Sequence, residues 1–224
     1  LPFEFDEEIA DSEISRAKND IINAITLLLE QKELIEYLKS ASTLVSQRSL
    51  TFKFNRFTVR GVPDLILFFE NAAPHILDWK VHTFGVKAYD EQLVTYAIAL
   101  DSVLQLKAHK DFPENAKDFR TTDFRLTEWQ LLQPASPKRD YEITEESIEN
   151  TTNKISSSIL SIYMNSGHLK HDQLKPEMFS TTFYPNNCPS CPFKKICKQH
   201  EDEIRNRRIP DLEPKRSYVQ LPLM

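Results

Sequence analysis

The sequence predicts an α/β domain built around one mixed β-sheet, followed by a small C-terminal metal-binding annex. Three observations carry that expectation. Segments of helical spacing and segments of strand spacing follow one another in the order helix, strands, helix, strand, helix. Two short apolar runs, Leu65 to Phe69 and His75 to Val81, are separated by a Pro-marked turn, as in a hairpin inside a sheet. All three cysteines of the 224-residue chain crowd between Cys188 and Cys197, and such a cluster reads as metal ligation before disulfides. The domain is expected over residues 1–167 and the annex with its tail over 168–224.

The elements follow in order. Ser12 is the expected cap of a first helix, whose Ile14, Ile21, Ile22, Ile25, Leu28 and Leu29 recur at helical spacing as far as Glu30. A second short helix covers Lys32 to Ser40. Leu50, Phe52 and Phe54 alternate with Thr51, Lys53 and Asn55, the period of a half-buried strand. Leu65-Ile66-Leu67-Phe68-Phe69 is too uniformly apolar for an edge and is expected at the sheet centre. The turn Glu70 to Pro74 returns the chain as the strand His75 to Val81. After a loop holding Gly85, the spacing of Leu93, Tyr96, Ala97, Leu100, Val103 and Leu104 predicts an amphipathic helix over Tyr89 to Leu106. Residues 108–122 are polar and read as an exposed connection. Phe124 to Leu132 predicts a fourth strand, ended by Pro134 and Pro137. Thr144 with Glu146 opens a last helix, whose stripe of Ile148, Ile155, Ile159, Ile162 and Tyr163 runs to Asn165 before Gly167.

Composition limits the function. A hydrophobic content of 40% supplies a real core. No apolar run approaches the roughly 20 residues that cross a bilayer, so no membrane role is expected. The acidic start LPFEFDEEIADSE lacks the basic and apolar parts of a signal peptide, which predicts a cytoplasmic protein. The first residue is not Met, which leaves open that residues precede Leu1. Lys and Arg number 28 against 33 Asp and Glu, a net charge of −5 that counts mildly against DNA binding. Lys194, Lys195, Lys198, Arg205, Arg207 and Arg208 leave room for a local basic face near the end.

The chemistry concentrates between Gly61 and Tyr96. Phosphodiester hydrolysis needs a divalent cation on hard oxygen ligands, an activated water and neutralisation of phosphoryl charge. Asp64 and Asp78 offer the oxygens. On a strand, residues two apart share a face, so Asp78 and Lys80 project together while Trp79 points into the opposite layer. The Trp79 backbone carbonyl is then a further candidate ligand. A lysine beside such carboxylates can orient the attacking water and offset charge. Gln92 and Tyr96, four apart on one helical face, could touch substrate. Each feature also has a plain alternative: a turn aspartate, a strand salt bridge, a chance Gln-x-x-x-Tyr.

Taken in order, Pro63-Asp64 and Asp78-Trp79-Lys80 resemble the PD-(D/E)XK signature of restriction-endonuclease-like nucleases. Gly61 before them and Gln92-x-x-x-Tyr96 after them are similar to the subgroup holding the RecB nuclease domain and the CRISPR-associated exonucleases of the spacer-acquisition machinery. The resemblance implies a restriction-endonuclease-like fold and a Mg2+- or Mn2+-dependent deoxyribonuclease of a repair, recombination or antiviral defence system, acting on single strands or DNA ends. It implies catalytic roles for Asp64, Asp78 and Lys80, metal ligation by Asp64, Asp78 and the Trp79 carbonyl, and substrate binding by Gln92 and Tyr96. DNA is the implied partner, with a helicase or other complex subunits beside it.

Cys188-x2-Cys191-x5-Cys197 is similar to the C-terminal triplet that holds a [4Fe-4S] cluster in that subgroup together with one upstream cysteine. The upstream cysteine is absent from this chain. It lies ahead of Leu1, or His200 completes a Cys3His zinc site, or the cluster is degenerate and structural. The related enzymes also carry a His or Glu ligand on the first helix, where this chain offers Asp20 and Asn23. That departure motivates an alternative function, a catalytically weak or inactive DNA-end-binding or assembly subunit. A third reading is a zinc-stabilised interaction protein. His75 and His82 read as ordinary strand-end residues.

Overall fold

The computed structural model describes residues 9–81, 90–106, 112–133, 137–167, 169–175 and 178. Ala10–Ile162 make up one compact unit, and it contains every strand among the described residues. The chain opens with α1 (Asp11–Glu30) and α2 (Lys32–Lys39). Ala10, not Ser12, is the N-cap of α1, and no side chain caps it. Asp11 and Glu13 in the first turn instead complement the helix dipole. The expected apolar stripe is also corrected: Ile14, Ile21, Ile22, Ile25 and Leu29 are exposed, by up to 64%. Packing goes through buried Ala24 and, one turn on, Leu28.

Two sheets follow. One has five strands in the order β1 (Thr43–Ser46), β4 (Leu65–Phe68), β5 (His75–Lys80), β6 (Arg125–Gln130) and β7 (Lys138–Tyr141). The other is the hairpin of β2 (Leu50–Phe54) and β3 (Phe57–Gly61). β5 pairs with β6 in parallel, and every other pair in the large sheet is antiparallel. A parallel pair needs a long crossover, and α3 (Asp90–Gln105) lies within it. The mixed sheet flanked by helices agrees with the predicted class. The hairpin carrying Asp64 and Asp78 is observed as expected, with Leu65 opposite Leu77.

Strand alternation sorts the core into two layers. Ile66, Phe68, Ile76 and Leu126 face α3, meeting Leu93, Ala97 and Leu100 together with Leu50 and Phe52 of the hairpin. Leu65, Leu67 and Leu77 face the other way, against Leu34 and Leu28, with Trp79 and Trp129 at the margin. Trp79 thus enters the layer opposite Asp78 and Lys80, as the spacing of two requires. Within that second layer, a polar chain ties α2 to the sheet. Arg125 Nη1 donates to Tyr37 Oη at 3.1 Å, and Thr127 Oγ1 donates to Asp140 Oδ1 at 2.5 Å. His75 lies between them, with Nδ1 2.8 Å from Tyr37 Oη and Nε2 2.8 Å from Thr127 Oγ1. Since the threonine proton goes to Asp140, Nε2 carries the imidazole proton and Nδ1 accepts from Tyr37.

Three strands exceed the four expected: β1, β3 and β7. Residues 108–122 are not simply an exposed connection, because Phe112 and Ala116 are buried and the Phe112 ring lies 5.3 Å from that of Phe68. The last helix, α4, spans Glu145–Ser166. Thr144 and Ser147 cap it reciprocally, each side-chain oxygen accepting the other's backbone N–H at 3.0 Å; Ser147, rather than Glu146, is the partner. Ile148 and Ile155 pack on the core while Ile162 is 68% exposed. Gly167 follows at φ 57°, the left-handed position that ends a helix. No helix among the described residues is long and apolar enough to cross a membrane. His82, Gly85, Cys188, Cys191, Cys197 and His200 lie outside the described residues.

Candidate active site

Asp64 stands in the short turn between β3 and β4, after buried Pro63. Both of its carboxylate oxygens are held. Oδ2 accepts the Trp79 backbone N–H at 2.9 Å, and Oδ1 accepts Gln47 Nε2 at 2.7 Å. Gln47 also donates its backbone N–H to the Asp64 carbonyl at 3.1 Å. It does so at φ 51°, a left-handed conformation that costs a side-chain-bearing residue about 1 kcal/mol. Two hydrogen bonds to a single aspartate offset that strain, which marks Gln47 as part of the site's frame. Nothing in the local sequence announces it.

Asp78 and Lys80 project from β5 on the α3 side. Asp78 is only 3% exposed. Lys80 Nζ lies 2.5 Å from Asp78 Oδ2, yet that oxygen has no aligned hydrogen-bond donor. Burial raises the Asp78 pKa; the Lys80 ammonium opposes the rise, and the Asp64 and Glu128 carboxylates add to it. Lys80 is fixed from its other side. Its Nζ donates to Gln92 Oε1 at 3.1 Å, and Gln92 Nε2 donates to Tyr96 Oη at 2.6 Å. Burial raises the Tyr96 pKa as well, against the Gln92 hydrogen bond, so the phenol keeps its proton. The Tyr96 ring in turn lies against Gly61, where an added Cβ would come within 2.8 Å of Cδ1.

Gly61, Tyr96, Gln92, Lys80 and Asp78 therefore form one line of contact. The structure brings together Asp64, Asp78, Lys80, Gln92 and Tyr96, and gives the last two a definite task, which is to anchor the lysine.

One residue was overlooked in the strand read around Trp129. Glu128 of β6 lies directly across from Asp78 in the parallel register, on the same face. It is fully buried, at 0% exposure. Gln130 Nε2 donates to its Oε1, and Tyr141 Oη donates to its Oε2 at 3.3 Å. The available signal is a glutamate two residues from Leu126 and beside Trp129 in a short alternating strand. Asp20 lines a groove with Asn23, Thr26, Leu27 and Leu132.

The donor set suits a hard divalent cation. Asp64 and Asp78 offer carboxylate oxygens, and Asp78 Oδ2 is a buried acceptor facing the Lys80 ammonium. No three His, Cys, Asp or Glu side chains converge on one point among the described residues. The aspartate pair is therefore the nucleus of a site rather than a closed cage. That is what a catalytic cation requires, since open positions must remain for water and phosphate.

Comparison with known proteins places the chain in a family. A family model of the PD-(D/E)XK nuclease superfamily matches residues 4–198. Among solved structures, one titled "Crystal structure of SSO0001" is similar over 84% of this chain and 74% of that one, at 15% identity and a TM-score of 0.35. No curated protein matches. The chain belongs to the PD-(D/E)XK nuclease superfamily.

Proposed function

We propose that this member of the PD-(D/E)XK nuclease superfamily is a Mg2+- or Mn2+-dependent deoxyribonuclease that hydrolyses phosphodiesters on single strands or at DNA ends. The observation that carries the reading is the fixation of Lys80, whose ammonium is held between Asp78 and Gln92 at 2.5 and 3.1 Å. A lysine serving only surface solvation would not be 13% exposed and braced by a buried tyrosine. Asp64, Asp78 and the Trp79 carbonyl would hold the cation. When bound, the cation polarises the phosphoryl group and lowers the pKa of water.

The chain's own groups do the remainder. Lys80 orients the water whose oxygen forms the new P–O bond, and its charge offsets the negative charge growing on phosphorus-bound oxygens as the ester P–O bond breaks. Gln92 and Tyr96 keep Nζ at that point and would also meet the substrate backbone. Gln47 and the Trp79 N–H hold Asp64 in place. The attacking water gives up a proton to solvent as its oxygen bonds to phosphorus, and the leaving oxygen gains one from solvent. In the same reading, Cys188, Cys191 and Cys197 hold a [4Fe-4S] cluster, with Zn2+ and His200 as the alternative. Iron and sulfide in anaerobically purified protein support the first, and zinc alone the second. The working context would be a repair, recombination or defence complex containing a helicase or similar subunit.

A second reading, a DNA-end clamp or assembly subunit with weak or no catalysis, is favoured by the absence of a His or Glu at the middle of α1. End-labelled single- and double-stranded DNA, incubated with protein in Mn2+ or in EDTA, separates the two. Cation-dependent shortening of the label supports the nuclease. Retention without cleavage supports the clamp.

A further inference from the structure

We propose that Glu128 is a positioning carboxylate of this metal centre, setting its affinity for the divalent cation from the strand beside Asp78. The inference rests on the nuclease reading. It starts from placement: β5 and β6 run parallel in register, so Asp78 and Glu128 are neighbours on one sheet face, as are Lys80 and Gln130. Glu128 is completely buried, and its two oxygens are held by neutral donors, the Gln130 amide and the Tyr141 hydroxyl. Neutral donors alone are poor compensation for a buried negative charge.

Two buried acceptors point the same way. Gln130 Oε1 has no hydrogen-bond partner and Asp78 Oδ2 is paired with the Lys80 ammonium at 2.5 Å, and their residues are 5% and 3% exposed. Both residues adjoin Glu128, one across the strands and one along β6. With three carboxylates against Lys80 and Arg139, the latter paired across from Glu128 on β7 and donating to Tyr141 Oη at 3.4 Å, the patch is still short of positive charge. A divalent cation at Asp64 and Asp78 supplies it. Glu128 then acts as an outer carboxylate does at metal sites, strengthening the hold on the cation without occupying a ligand position, a role whose loss typically lowers affinity about 10- to 100-fold. It occupies the electrostatic role that α1 leaves open, but from β6, the strand next to Asp78.

Mn2+ titration, read by the electron paramagnetic resonance of free Mn2+ and by the metal-induced rise in Tm, tests this without any activity assay. Compared are the unaltered protein, Glu128→Gln, Glu128→Asp and Asp78→Asn. The expected result is a Kd raised at least tenfold in Glu128→Gln, with a smaller metal-induced Tm rise, and a Kd within about threefold of the unaltered protein in Glu128→Asp, which keeps the charge. Should Glu128→Gln lose its cooperative melting in EDTA, Glu128→Met, apolar and of similar length, takes its place with the same expectation. Equal affinity in Glu128→Gln while Asp78→Asn loses binding overturns the role of Glu128 and leaves the nuclease reading standing. Equal losses in the Gln and Asp variants also overturn it, since shape rather than charge would then be at work. No Mn2+ binding by the unaltered protein removes the nuclease reading and this role with it.

Discussion

Gly61→Ala is the smallest change that reaches Lys80 without touching it. Gly61 is buried at the end of β3, paired with Leu50. A Cβ there would stand 2.8 Å from Tyr96 Cδ1 and 3.0 Å from Cε1, whereas ordinary contact begins at 3.4 Å, so the ring must yield by at least about 0.6 Å. It has little room to do so, because Tyr96 is 9% exposed and belongs to the core with Leu93 and Ala97. Moving the ring draws Tyr96 Oη away from Gln92, at present 2.6 Å distant, and loosens the amide that holds Lys80 at 3.1 Å. Overpacking of this kind costs about 1 to 3 kcal/mol. Misplacing a catalytic group by about 1 Å costs on the order of 100-fold in rate. Urea unfolding and single-turnover DNA cleavage therefore should both register the variant, with a rate reduced about 10- to 100-fold. In a Tyr96→Ala background the ring is gone, and Gly61→Ala should then be nearly neutral for stability, which isolates the contact as a coupling energy. Unchanged midpoint and unchanged rate for Gly61→Ala, or the same penalty with and without the Tyr96 ring, would refute the contact chain.

Two further outcomes follow from named contacts. His75 is 2% exposed and has its pKa lowered from 6.5 to about 4, by burial first and then by the charge of Arg125. Its folded pKa lies below the unfolded one, so this contribution to stability is complete above pH 6.5 and is lost as pH falls from 6.5 toward 4, by up to about 3 kcal/mol. Urea midpoints of the unaltered protein and His75→Gln, measured from pH 7.5 downward, should show the steep fall only in the former; parallel curves would place the acid sensitivity elsewhere. Gln92→Leu keeps the volume of a half-buried helical position but frees Lys80 from its anchor, so cleavage should slow at least about tenfold with stability changed by less than about 1 kcal/mol. A rate within twofold of the unaltered protein would make the Lys80 to Gln92 bond incidental.

The contrast between what sequence disclosed and what it hid has physical causes. The pair Asp64 and Asp78, with Lys80 and Trp79 on opposite faces, was readable because strand alternation is local and strict. So was α3, whose buried positions Leu93, Ala97 and Leu100 recur at helical spacing. β1 and β7 escaped because each has four residues at a sheet edge, half exposed, and Lys138-Arg139-Asp140 reads as loop. β3 left a usable sign: Asn55, at φ 53°, begins a two-residue turn between Phe54 and its partner Phe57.

Glu128 was hidden for a different reason. Its importance lies in register with β5, and pairing between strands separated by a helix is written in no local pattern. The same holds for Gln47, which reaches Asp64 across seventeen positions. On α1, six large apolar residues suggest the buried face, but of these only Leu28 packs on a core cluster, beside buried Ala24, while the other five are exposed. Hydrophobic spacing marks a helix there without telling which side is inward.

The most direct test of the account is single-turnover cleavage of end-labelled single-stranded DNA by the unaltered protein, Asp78→Asn and Lys80→Ala, in Mn2+ and in EDTA, with circular dichroism on each. The proposed function gives Asp78 and Lys80 roles in chemistry rather than in folding, so the predicted result is cation-dependent cleavage by the unaltered protein and at least about a 1000-fold slower reaction in both folded variants. Full cation-dependent cleavage by either variant would contradict the assignment of this centre.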